Sequence, residues 1–95
     1  MDATRATDFI REQIKLADFD RERVRVRAVE SADGTKVEVY ADTIDPIPGT
    51  ILRRTNYNPI DIGDIGDEGY REQLRMIISS MAKEVLEEGQ EQHGG

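Results

Sequence analysis

The sequence predicts an α+β domain of two layers, in the order α-β-β-β-α, with an antiparallel three-stranded sheet and both helices on one face. Three observations predict it. Valine and arginine alternate on either side of an Asp-Gly pair between Arg21 and Asp42, apolar residues recur at helical spacing over 4–17, and a longer apolar stripe follows Asp67. A chain of 95 residues, 37% of them hydrophobic, suffices for one core, assigned to residues 1–89, with a polar tail over 90–95 expected to stay flexible.

The first helix is expected over 4–17. Ala6, Phe9, Ile10, Ile14 and Ala17 share one side, Arg11, Glu12 and Lys15 lie opposite, and Thr4 or Thr7 is in place to cap the start. The hairpin follows. With Asp33 and Gly34 as the two central residues of a tight turn, paired residues sum to 67. Val26 then faces Ala41, Ala28 faces Val39 and Glu30 faces Val37 on the buried side. Arg25 faces Asp42, Arg27 faces Tyr40 and Val29 faces Glu38 on the other, with Arg23 beside them.

Thr43–Gly49 reads as a connection, because Pro46 and Pro48 exclude a central strand or helix. Thr50–Thr55 (TILRRT) is the expected third strand. Pleating would send Arg53 and Arg54 to opposite faces, so at most one of them joins the arginine row. A long loop, Asn56–Gly69, contains the near-repeat Asp61-Ile62-Gly63, Asp64-Ile65-Gly66, Asp67-Glu68-Gly69. The last helix is expected over Glu68–Glu88, capped by Asp67 and stopped by Gly89. Tyr70, Leu74, Ile77, Ile78, Met81, Ala82, Val85 and Leu86 form its apolar stripe.

Charge divides the chain. Residues 1–20 carry three basic and five acidic side chains, 21–54 seven and six, and 55–95 three and nine, for a net −7. So acidic a surface repels polyanions and makes nucleic acid an unfavoured partner. The middle third escapes that trend, and its arginines Arg23, Arg25 and Arg27, with Tyr40 and one of Arg53 and Arg54, are the candidate binding residues, since arginine forks suit phosphate and carboxylate alike. The competing reading is a solvated face whose charges are answered by Glu22, Glu38 and Asp42.

Other chemistry is poorly represented. Cys is absent and the lone histidine, His93, sits in the tail, so no disulfide, thiolate metal site, cofactor motif or catalytic constellation is expected. The Asp61, Asp64 and Asp67 repeat resembles calcium loops in composition, but lacks their alternate-position ligands and distal glutamate, so a structural loop is expected there. Gly94-Gly95 resembles the end of ubiquitin-like modifiers and sulfur carriers, whose core continues with strands after its helix, unlike this chain. The element order resembles that of double-stranded-RNA-binding domains. Those present a lysine cluster at the start of the last helix, where this chain reads Asp67-Glu68-Gly69-Tyr70-Arg71-Glu72.

The sequence therefore points to a non-enzymatic protein-interaction, assembly or regulatory module, homodimeric through an edge of the last helix at Ile78, Met81 and Leu86. With neither a signal-peptide-length apolar run nor a membrane span, a cytoplasmic setting is expected. The alternatives are a nucleic-acid-binding domain using the arginine face, and a diglycine-tailed modifier or carrier.

Overall fold

The computed structural model describes residues 2–46, 52–65 and 68–93. Its elements are α1 (Ala3–Leu16), β1 (Val24–Glu30), β2 (Lys36–Thr43), β3 (Thr55–Asp61) and α2 (Glu68–His93), with a 3-10 turn at Ile62–Asp64. The strands form an antiparallel sheet in the order β1-β2-β3, and both helices pack against it. The expected α+β fold is the observed one.

Helix α1 begins one residue early because Asp2, rather than Thr4 or Thr7, caps it, its carboxylate accepting the Arg5 N–H at 2.9 Å. Thr4 instead donates to Glu30 Oε1 on β1, and Thr7 to Ala3 O, at 2.9 and 2.8 Å. The other end of α1 is closed by Arg21. Its Nη2 donates to Ile14 O, Lys15 O and Ala17 O at 2.8–3.0 Å, placing a cation on the carbonyls that end the helix, while the guanidinium lies 4.2 Å from the Phe19 ring.

The β1–β2 register is the expected one, from Arg25 opposite Asp42 to Glu30 opposite Val37. The turn is different. Ser31 N–H donates to Lys36 O, Gly34 N–H donates to Ser31 O, and Gly34 adopts φ +72, so four residues, Ala32–Thr35, close the hairpin rather than two. A four-residue loop shares its centre with the two-residue one, so no strand flips. Asp33 knits the loop by accepting from Thr35 N–H, Thr35 Oγ1 and Ser31 Oγ.

The third strand lies later than expected, at Thr55–Asp61 rather than Thr50–Thr55; residues 47–51 lie outside the described residues. Its pairing explains how Pro59 is tolerated. Thr43 N–H bonds Arg54 O and Ile62 N–H bonds Thr35 O, so by alternation residues 54, 56, 58, 60 and 62 face the β2 backbone. Pro59 falls at a position turned to the free edge, where no N–H is needed, and it blunts that edge against further pairing. At the opposite edge, Ala28 O on β1 accepts Arg11 Nη2 from α1 at 3.2 Å.

The core lies between the helices and one face of the sheet. Val24, Ala28, Val37, Val39, Ala41 and Ile60 from the strands meet Ala6, Ile10 and Ile14 of α1 and Leu74, Ile78, Met81, Ala82 and Val85 of α2. Asn56 joins the same side, its Nδ2 reaching Met81 O and Glu84 Oε2 at 3.4 and 3.3 Å. Helix α2 continues through Gly89 to His93, beyond the expected stop. The Asp67 cap and the Gly94-Gly95 end lie outside the described residues. Among the described residues, no helix is long and apolar enough to cross a membrane.

Candidate functional site

The face of the sheet away from the helices is laid out in rows by the two registers. Arg25, Asp42 and Thr55 form one row, Arg27, Tyr40 and Tyr57 the next, and Val29, Glu38 and Pro59 the third. Residues 52–54, just before β3, bring Arg53 and Arg54 to the first row. The result is a cleft of about 570 Å³ lined by Arg25, Arg27, Arg53 and Arg54 with Asp42, Thr43, Ile44 and Thr55. The expectation that only one of Arg53 and Arg54 could join is corrected here. Arg54 still pairs with Thr43, its carbonyl accepting the Thr43 N–H, and both residues line the cleft together with Arg53.

The arginines do different work. Arg23 is held by its own loop: Nε donates to Asp20 Oδ2 at 2.6 Å, and this bond foremost lowers the Asp20 pKa. Arg27 reaches diagonally to Asp42 Oδ2 at 3.1 Å and lies 4.5 Å from the centre of the Tyr40 ring. Thr55 Oγ1 takes the other Asp42 oxygen at 2.8 Å. Tyr40 donates to Glu38 Oε2 at 2.7 Å, a bond that raises its phenol pKa. Arg25 is thus left beside a carboxylate that has already been taken. Among the described residues, neither Arg25 nor Arg53 has an ion-pair or hydrogen-bond partner for its side chain, and both are exposed. Asp42 is the one carboxylate among the described residues that line the cleft.

Tyr57 is the residue that sequence reasoning missed. Once β3 is placed at Thr55–Asp61, Tyr57 stands opposite Tyr40 in a pair without backbone bonds, where side chains approach closest; the ring centroids are 5.1 Å apart and the planes tilted by 46°. Tyr57 is 48% exposed. The cleft therefore adjoins an open aromatic surface rather than the single tyrosine expected.

Of the residues expected at an interface, two already lie inside the single chain. Ile78 and Met81 are 0% and 4% exposed within the single chain, and Leu86 is half-buried against the same core. Two helices and the sheet together consume the stripe that looked too wide for the sheet alone. The exposed apolar side chains near α2 are instead Met76 and, from the end of α1, Leu16, which line a shallow cleft between the helices. In the aspartate loop, Ile65 is buried and Ile62 half-buried, tying it to the core as a structural loop would be. Among the described residues, no group of three acidic or histidine side chains is placed to hold a metal ion.

Comparison with protein-family models, curated proteins and solved structures found no match to this chain.

Proposed function

We propose that the protein is a non-enzymatic interaction module, acting in the cytoplasm, that receives an acidic segment of a protein partner on its open sheet face. One observation carries the reading: Arg25 and Arg53 line a common cleft with two further arginines, and neither has a partner among the described residues. The face is open because both helices cover the other side, and the Tyr40–Tyr57 pair gives an incoming chain an apolar surface beside the charges. Both sheet edges are guarded, by Pro59 and by Arg11, which favours docking on the face over strand addition.

The test is binding of a fluorescent oligoglutamate peptide at low salt. Wild-type protein should bind it, with affinity falling as salt rises, and an Arg25→Glu/Arg53→Glu variant with an unchanged melting temperature should not. Equal binding by the two proteins would reject the site. Self-association, the other part of the proposal, is assigned to the Leu16 and Met76 patch. Light scattering across concentration should show a dimer in wild type and a monomer in Met76→Glu; a monomeric wild type would remove it.

A second reading, single-stranded nucleic acid on the same face, is favoured by Tyr57 alone, since base stacking needs an exposed ring beside the cations.

A further inference from the structure

The two readings make different demands on how negative charge is distributed in the ligand, and the open face answers that question. Its arginines are gathered at one end. Arg25, Arg27, Arg53 and Arg54 surround the first row, where Asp42 is the carboxylate in the cleft. Two rows further along stands Glu38, already holding the Tyr40 hydroxyl, and at the end of β3 comes Asp61 opposite Lys36. A polyanion lying along the strands would place its first phosphate among arginines and a later one against Glu38. It would also approach a chain of net charge −7, six of those charges from residues 55–95. A ligand with its charge concentrated in one group on an otherwise uncharged backbone meets neither obstacle.

The local charge also sets how many negative charges that group should bring. With Arg27 paired to Asp42, Arg25 and Arg53 leave two positive charges at the cleft without a partner among the described residues. A single carboxylate brings one negative charge, whereas a phosphate monoester at neutral pH brings about 1.5–2, with three acceptor oxygens that arginine forks engage in pairs. Arg25 and Arg53 approach from different elements, β1 and the segment before β3, so two forks can grip one tetrahedral group from two sides. Tyr57, two residues along from Thr55 and so roughly 7 Å further on, can carry the chain that bears the group.

We propose that the arginine cleft is a phosphate subsite, and that the partner is recognised through a phosphorylated side chain held by Arg25 and Arg53 with its flanking chain over Tyr57. This rests on the interaction-module reading above and names the chemistry of its ligand. No phosphoryl transfer is involved, since the group is bound and released intact.

The test follows the arginine Nε–H signals and backbone amides of the full chain by NMR during titration with inorganic phosphate, and with acetate at matched ionic strength. Phosphate should shift Arg25 and Arg53 saturably and acetate should not. In parallel, three peptides of one sequence carrying phosphoserine, glutamate or serine at the same position are compared. The phosphoserine peptide should bind about tenfold or more tighter than the glutamate peptide. Arg25→Lys/Arg53→Lys, which keeps the charge and removes the forks, should abolish most of that preference. Equal binding of phosphoserine and glutamate peptides would overturn the phosphate subsite while leaving the acidic-partner reading intact. Binding of neither would overturn both. An oligothymidylate that binds tighter than the phosphoserine peptide would overturn both in favour of nucleic acid.

Discussion

The two faces of the sheet are built from the same three strands, yet they use their side chains in opposite ways. On the covered face, Val24, Ala28, Val37, Val39, Ala41 and Ile60 are buried by two helices, and the one polar residue shown to bridge to α2, Asn56, finds partners there. On the open face the side chains meet in surface pairs such as Arg27 with Asp42 and Tyr40 with Tyr57, and Arg25 and Arg53 remain without a partner among the described residues. The covered face supplies stability through apolar area removed from water. The open face adds little, because exposed ion pairs gain little over their hydrated, separated state. A side chain that stabilises nothing is free to be chosen for binding.

Breaking the covered face should therefore cost the most. Ile78→Ala removes a fully buried side chain that touches both layers, and should destabilise the protein by about 2–5 kcal/mol in urea unfolding, without altering peptide affinity under conditions where the variant is still folded. Affinity lost in proportion to stability would erase the distinction between the faces.

The distinction extends to individual arginines. Arg21 and Arg25 are four residues apart and both exposed, yet Arg21 closes α1 through three carbonyls while Arg25 has no partner among the described residues. Arg21→Ala should cost about 1 kcal/mol of stability. Arg25→Ala should change stability by less than about 0.5 kcal/mol. Paired thermal melts of the two variants check this, and equal losses would contradict it.

The smallest effect belongs to the hairpin loop. Hydrogen bonds, the Thr35 hydroxyl's foremost, lower the Asp33 pKa from 3.8 to about 2. A carboxyl whose pKa is lower in the folded state stabilises the fold above its unfolded value and loses that contribution as pH falls through the folded one. Stability should thus decline between about pH 4 and pH 2 as Asp33 takes up its proton, and the lowered pKa of Asp20 adds a loss of the same sign. Asp33→Asn should flatten part of that decline in urea midpoints measured at steps across the range; an unchanged slope would show that the loop network is not formed.

The same contrast explains what was legible in the sequence. Val24 to Ala41 could be read pair by pair because one-face burial imposes strict alternation, and the turn's length could be misjudged without moving the register. Strand β3 was not legible. Only Ile60 of its inward residues is apolar, and Asn56, Asn58 and Pro59 all disfavour strand; it exists because β2 offers a free edge and Pro59 falls where no N–H is required. The available warning was the fourteen-residue loop that the earlier strand placement left behind at Asn56–Gly69, too long for so small a domain. That misplacement hid Tyr57 and separated Arg53 from Arg54. The helix stripe misled for the opposite reason: its periodicity was clear, but how many neighbours would share it depends on tertiary packing.

The central claim is that binding belongs to the open face, and chemical-shift mapping with the oligoglutamate peptide tests it most directly. The account predicts saturable shifts at Arg25, Arg27, Tyr40, Arg53, Thr55 and Tyr57, with Leu74, Ile78 and Val85 of α2 unmoved. Shifts centred on Leu16 and Met76, or spread evenly over both faces, would contradict it.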